Sequence, residues 1–113
     1  DNRISYIIKN KLLPYNKSNG KNLITLEIDL NKNKSIKEKN INNETTKIEI
    51  SINAVVQYRS DKSEEFKISK KGAYNVADQY SQTLTNEKKL IRILSENIAE
   101  KIIEELILRT DDT

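Results

Sequence analysis

The sequence predicts an α+β fold, a two-layer sandwich in which two helices pack on one face of a mostly antiparallel sheet. In three stretches of the middle of the chain, apolar and polar residues alternate, the pattern of strands with one buried face. Before and after this region, apolar residues recur every three or four positions, the pattern of amphipathic helices. Because each helix and the sheet have one apolar face to bury, the order helix, three strands, helix favours two layers.

The first helix is expected to begin at the capping residues Asp1 and Asn2. Its apolar positions are Ile4, Ile7, Ile8 and Leu12. Pro14 lacks a backbone N–H group and disfavours a helical conformation in the residue before it, so the helix is expected to end near Leu12 or Leu13.

Strands are predicted at residues 23–30, 47–59 and 64–71. The second strand has six successive inward apolar positions and is expected to be central: Ile48, Ile50, Ile52, Ala54, Val56 and Tyr58. A short turn at residues 60–63 predicts that the second and third strands form an antiparallel hairpin. Residues 31–43 are polar and lysine-rich, and the sequence leaves open whether they form a loop or extend the first strand into a hairpin.

The C-terminal third, residues 72–109, is expected to lead from the sheet into a long helix at residues 86–109. Thr85 is the predicted cap, Glu87 suits the positive end of the helix, and Arg109 suits the negative end. The apolar stripe consists of Leu90, Ile91, Ile93, Leu94, Ile98, Ile102, Ile103, Leu106 and Ile107. A stripe this wide needs a surface to cover it, and both Ile98 of this helix and Ile52 of the central strand are expected to lie in the core.

The 113 residues are expected to form a single domain, residues 1–113. Only 35% of the residues are hydrophobic and 33% are charged, but the apolar residues lie in periodic blocks, which argues against wholesale disorder. The net charge of +3 permits an anionic partner.

Catalysis is not expected. The chain has no cysteine and no histidine, which excludes a thiol nucleophile, an imidazole base and the common zinc sites. The adjacent carboxylate pairs are Glu64/Glu65, Glu104/Glu105 and Asp111/Asp112. Each pair lies in a turn, on a polar helix face or in a tail, where solvated surface is the simplest interpretation. No enzyme activity, cofactor or metal site is therefore predicted.

Lysines form two clusters, one before the central strand and one on and after the third strand. They are Lys32, Lys34, Lys37 and Lys39, and then Lys67, Lys70 and Lys71. One interpretation is a solubilising surface that also protects exposed sheet edges. The other is contact with phosphate or carboxylate groups. A nucleic-acid role is disfavoured, because aromatic residues make up only 5% of the chain and no RNA-binding motif is present.

The segment from the third strand onward reads KISKKGAYNVADQYSQTLTNEKKLIRILSENIAEKII. It resembles the C-terminal half of the LPS-assembly lipoprotein family (LptE), particularly its alphaproteobacterial branch. The matching residues are Ala73, Tyr74, Asn75, Val76, Asp78, Gln79, Tyr80, Glu87, Ile98, Ala99 and Ile102. Where relatives often carry Arg before this segment, the chain has Lys70 and Lys71, which keep the charge without the bidentate geometry.

The resemblance implies a non-enzymatic outer-membrane lipoprotein on the periplasmic side, a plug inside an LptD-like β-barrel translocon that helps deliver lipopolysaccharide to the outer leaflet. It also implies that a lipid-modified cysteine and a first strand precede Asp1, and that membrane association is through the lipid anchor alone. Lysines are then the expected lipopolysaccharide ligands, namely Lys39, Lys67, Lys70 and Lys71. The alternatives are another small periplasmic lipoprotein or secretion-complex subunit and, as a more distant option, an RNA-binding α/β domain.

Overall fold

The computed structural model describes residues 2–18, 25–59 and 62–110, with the side chains of residues 13–18, 25 and 110 left out of the description. The elements in chain order are α1 (Asn2–Ser18), β1 (Thr25–Lys39), β2 (Thr45–Arg59), β3 (Ser63–Asn75) and α2 (Tyr80–Thr110). The sheet has the order β1-β2-β3, and both strand pairs are antiparallel. The predicted α+β class, the central second strand and the hairpin between the second and third strands are confirmed.

The core lies between one face of the sheet and the two helices. The inward residues of β2 from Ile50 to Tyr58 are at most 4% exposed, and Ile52 is fully buried, as is Ile98 of α2. Both predicted core positions are therefore confirmed. The helix α1 adds Ile4, Ile8 and Leu12 to the same cluster and packs mainly on α2.

The open alternative for residues 31–43 is settled in favour of a hairpin. The strand β1 continues to Lys39, with an irregular register near Ile36 and Glu38, before the chain turns back at residues 40–44. The side chain of Asn40 builds this turn, because its Oδ1 atom accepts hydrogen bonds from the N–H groups of Asn42 and Glu44 at 3.0 Å each. Asn43 has a φ angle of 65°, a conformation that asparagine adopts more readily than most residues.

Two predicted helix boundaries are wrong. The helix α1 continues past Pro14 to Ser18, since proline removes a single intrahelical hydrogen bond and that loss alone does not end a helix. The helix α2 begins at Tyr80 rather than Asn86, and Thr85 lies inside it, donating a hydrogen bond from Oγ1 to the carbonyl oxygen of Ser81 at 3.0 Å. The apolar stripe does not extend into these first turns of α2, where the large apolar residues Tyr80 and Leu84 are exposed.

The strand β3 is also longer than predicted and includes Gly72. A Cβ atom at Gly72 would lie 2.7 Å from Cδ1 of Leu90, so the Leu90 side chain of α2 packs into the space that the glycine leaves on β3. The remaining predictions for residues 1, 23, 24, 60, 61, 111 and 112 lie outside the described residues.

The molecule is elongated, with principal dimensions of 58 × 21 × 21 Å. A helix of 31 residues is about 46 Å long and a strand of 15 residues about 50 Å, and these two elements lie alongside each other. Neither helix, over the ranges described, combines the length and apolarity that crossing a bilayer demands.

Candidate ligand-binding surfaces

The four lysines predicted as lipopolysaccharide ligands do not form a single cluster. Lys39 pairs with Thr45 at the hairpin end of the sheet, whereas Lys67 pairs with Val55, ten residues further along β2. At about 3.3 Å per residue, these positions are about 33 Å apart. Lys67 and Lys71 share the outer face of the sheet, and Lys70 shares the inner face with Ile52.

Lys67 and Lys70 do line a common depression between the free edge of β3 and the C-terminal half of α2, here called the β3–α2 groove. It has a volume of about 580 Å³. Its lining residues are Glu65, Phe66, Lys67, Ile68, Ser69, Lys70, Lys101, Glu105 and Arg109. The groove thus combines four cationic side chains with two carboxylates.

The helix contributes Lys101 and Arg109 to this groove, and neither residue is among the ligands that the sequence predicts. Their spacing with Glu105 places the three residues on one flank of the helix, a signal that the sequence contains. Only packing shows that this flank faces β3. Lys101 lies 3.5 Å from Glu104 and Arg109 lies 3.2 Å from Glu105. Within the described part of the chain, Lys67 and Lys70 have no such carboxylate partner, so these two charges remain available.

The end of the β3–α2 groove is organised around Tyr58, which is 4% exposed. Its hydroxyl donates a hydrogen bond to Glu64, and its ring lies 5.9 Å from that of Phe66. The guanidinium carbon of Arg109 lies over the ring of Phe66, 4.9 Å from the ring centroid. Burial raises the pKa of the Tyr58 phenol, and the hydrogen bond to Glu64 raises it further, while Arg109 opposes the change.

A second polar cluster joins four elements around Glu87 of α2, whose side chain is only 13% exposed. The carboxylate lies 3.4 Å from Lys34 of β1 and 3.9 Å from Arg3 of α1, and it accepts a hydrogen bond from the hydroxyl of Tyr74 of β3 at 3.5 Å. The Tyr74 hydroxyl, followed by Glu87, raises the pKa of Lys34. Glu87 therefore links α1, β1 and β3 to α2, which is a structural role. This differs from its predicted role as a negative charge at the positive end of the helix.

A second groove lies between α1 and the first turns of α2, and is here called the α1–α2 groove. It has a volume of about 380 Å³ and an apolar floor. Its lining residues are Arg3, Tyr6, Ile7, Thr85, Lys88, Lys89, Ile91 and Arg92. Four cations line it and, within the described ranges, no carboxylate does, which distinguishes it from the β3–α2 groove.

The outer face of the sheet is polar along its whole length. Hydrogen bonds link side chains of neighbouring strands, from Ser69 to Asn53 at 2.6 Å and from Gln57 to Glu65 at 3.1 Å. Val55 is the one apolar side chain that β2 presents on this face between residues 49 and 57. No described residue outside the sheet packs on this polar face, which suits contact with water or with a hydrated partner surface.

The segment that carries the family resemblance forms the corner between β3 and α2. The N–H of Val76 donates to the carbonyl oxygen of Thr46 at 2.9 Å. The N–H of Ala77 donates to Oγ1 of Thr83 at 2.8 Å, and Nδ2 of Asn86 donates to the carbonyl oxygen of Asn75 at 3.0 Å. These bonds fix the angle at which α2 leaves the sheet, so the segment has a structural role in this chain.

The predicted surface carboxylates that the structure describes are engaged with neighbouring side chains. Glu64 accepts a hydrogen bond from Tyr58, and Glu65 accepts one from Gln57. Glu104 and Glu105 pair with Lys101 and Arg109 on the helix surface. Across the described ranges, no cluster of three or more acidic side chains is arranged to hold a metal ion.

Comparisons with solved structures identify the fold. The chain superposes on the rare lipoprotein B of Shewanella oneidensis with a TM-score of 0.76 and 11% identity, over 95% of this chain and 86% of that one. It matches a protein described as a lipoprotein of Caulobacter crescentus (TM-score 0.65, 14% identity, 98% and 87% covered) and a minor lipoprotein of Acinetobacter baumannii (0.72, 13%, 92% and 84%). No family model matches the sequence, and no curated protein matches it. The chain thus shares its fold with lipoproteins of three bacteria, and none of the three is described as an enzyme.

Proposed function

We propose that this chain is the folded domain of an outer-membrane lipoprotein of the LptE type, a non-enzymatic subunit that plugs an LptD-like β-barrel and helps to place lipopolysaccharide in the outer leaflet. The observation that carries the proposal is the fold shared with rare lipoprotein B over 95% of this chain. The independent resemblance of residues 73–80 to the LPS-assembly family, including its alphaproteobacterial branch, supports the same assignment.

The shape and surface of the domain suit the role of a plug. A body 21 Å in both short dimensions is narrow enough to enter a large barrel, and its outer sheet face is polar, as the lumen of such barrels is. The lipid anchor would precede Asp1 and place the domain at the periplasmic side of the outer membrane. The alternative function is that of another small periplasmic lipoprotein or secretion-complex subunit, since proteins described only as lipoproteins share this fold.

For the lipopolysaccharide ligand, the β3–α2 groove is the better candidate among the predicted lysines. Lys67 and Lys70 line it together and lack carboxylate partners in the described residues, whereas Lys39 lies at the other end of the sheet. Lysine meets a phosphate as a point charge, so binding is expected to weaken as salt shortens the range of the field. Each exposed charge contributes only about 0–1 kcal/mol, so a pair of substitutions is needed for a clear effect.

The experiment has two arms. In the first, the purified domain is mixed with an LptD-like barrel in detergent, and a complex of one domain per barrel is expected by size-exclusion chromatography. In the second, lipopolysaccharide binding is compared for the wild type, for Lys67→Glu/Lys70→Glu and for the matched pair Lys39→Glu/Lys71→Glu, at low and moderate salt. We expect the first pair to weaken binding more than the second, and the difference to shrink with salt.

The two arms fail separately. Absence of a complex with the barrel contradicts the plug role. Equal, salt-insensitive binding by all three proteins contradicts the electrostatic mechanism in the β3–α2 groove and leaves the plug role in place.

A further inference from the structure

Two of the four cations that line the α1–α2 groove have no carboxylate partner among the described residues. Arg3 forms an ion pair with Glu87 at 3.9 Å, and Arg92 forms one with Glu96 at 4.0 Å. Lys88 and Lys89, on the first turns of α2, have no carboxylate within salt-bridge distance in the part of the chain that the structure describes. Among the described residues, no acidic side chain lines the groove, so the field at its mouth attracts anions.

The groove is also apolar beneath its cationic rim. Ile7 is half-buried and Ile91 is 1% exposed, so both belong to the inner part of the depression. Tyr6 stands at the rim with 70% of its surface exposed. An exposed tyrosine flanked by lysine and arginine is typical of surfaces at the boundary between water and a bilayer, because the ring tolerates the headgroup region and the cations meet phosphates.

The size of the groove restricts the occupant. A volume of about 380 Å³ fits one small ligand or headgroup. A stable protein partner buries about 800 Å² on each side, which requires a surface much larger than the two helical turns between Thr85 and Arg92. A headgroup that carries a single phosphate, with glycerol and acyl carbons behind it, matches the cationic rim and the apolar floor together.

From these observations we propose that the α1–α2 groove binds the phosphate headgroup of an anionic phospholipid at a bilayer surface, with Lys88 and Lys89 as the phosphate ligands and Tyr6 at the interface. This inference does not depend on lipopolysaccharide transport, because the groove and the ligand both differ from those of the proposed function.

The test is co-sedimentation of the domain with vesicles of equimolar phosphatidylglycerol and phosphatidylcholine, beside vesicles of phosphatidylcholine alone. We expect binding to the anionic vesicles only. Lys88→Gln/Lys89→Gln should lower the partition coefficient roughly 30-fold, since each cation near an anionic surface contributes about a fivefold factor. The matched control Lys47→Gln/Lys71→Gln removes the same charge from the outer sheet face and should change the partition coefficient by less than about threefold. Tyr6→Ala should weaken binding in the same direction as the first pair.

Further arms separate the sources of the anion. Glycerol 3-phosphate at millimolar concentration should compete poorly, because it lacks the bilayer that the apolar floor and Tyr6 contact. Thermal melts of all variants check that the fold is intact, and the exposed substitutions should leave them almost unchanged.

Four results would overturn the proposal. They are absence of binding to the anionic vesicles, equal losses for the two lysine pairs, binding to lipopolysaccharide but not to phosphatidylglycerol, and binding through Lys88 and Lys89 to polyglutamate but not to vesicles. The third leaves the proposed function in place, and the fourth assigns the groove to an acidic protein segment.

Discussion

Replacing Ile98 by alanine should destabilise the domain far more than the same replacement at Ile93. Both residues lie in α2, but Ile98 is fully buried between the helix and the sheet, whereas Ile93 is 52% exposed on the opposite flank. Both changes delete the same carbon atoms, and both gain the same few tenths of a kcal/mol of helix propensity. The difference between the two variants therefore isolates the effect of burial.

The magnitudes follow from the two environments. Truncation of a fully buried isoleucine costs about 2–5 kcal/mol, the sum of lost burial and a residual cavity. Ile93 retains only about half of its burial, so its truncation is expected to cost at most about 1 kcal/mol. For a domain of this size, about 1 kcal/mol corresponds to roughly 4 °C in melting temperature, so Ile98→Ala should melt about 8–20 °C below the wild type.

The measurement is thermal and urea unfolding followed by circular dichroism, for the wild type and both variants. Unchanged urea m-values would show that the unfolded states are comparable, so that differences in midpoint report stability. Ile52→Ala on the central strand should behave like Ile98→Ala, because that side chain is also fully buried. Equal melting temperatures for Ile98→Ala and Ile93→Ala would refute the placement of α2 on the sheet.

Two further predictions follow from individual contacts. The pKa of Tyr58 is raised above its ordinary value of 10.0, first by burial and then by Glu64, so the folded state keeps a proton that the unfolded chain releases. The stability that this group contributes is complete below about pH 10 and is lost as pH rises through the folded pKa. Tyr58→Phe should therefore reduce the decline of the unfolding free energy at alkaline pH, measured by urea unfolding. An identical slope of free energy against pH in the variant would contradict this. Gly72→Val should cost about 1–3 kcal/mol, because even a Cβ atom would lie 2.7 Å from Cδ1 of Leu90. In a Leu90→Ala background, Gly72→Val should cost less than in the wild type, because the Cδ1 atom is absent. If the double variant loses the sum of the two single losses in stability, the close approach is not the cause.

The alternation of apolar and polar residues was sufficient to predict those elements of which one face is buried along the whole length. The strand β2 alternates without interruption because it is central and its inner face is covered along its length. The pattern was ambiguous for β1, since Lys32 and Lys34 lie on the inner face beside Ile52 and Ile50 but at an open edge. An edge position leaves charged side chains access to water, so the alternation that identifies a strand disappears there.

The start of α2 was missed for a related reason. The first turns carry Tyr80 and Leu84 on exposed positions, and their helical conformation is supported by hydrogen bonds from the corner, such as that between Ala77 and Thr83. These hydrogen bonds join residues that come close together only because the chain turns between β3 and α2. Apolar periodicity cannot report them.

What the sequence by itself determined is the set of elements, the core residues on β2 and α2, and the lack of cysteine and histidine chemistry, because spacing and composition are local properties. Only the tertiary structure decided which charges act together. The strand register separates Lys39 from Lys67, and the rotation of α2 about its axis brings Lys101 toward β3 and Lys88 toward Tyr6 of α1. Register and rotation depend on how the whole core packs, so grooves built from distant parts of the chain cannot be read from any single stretch.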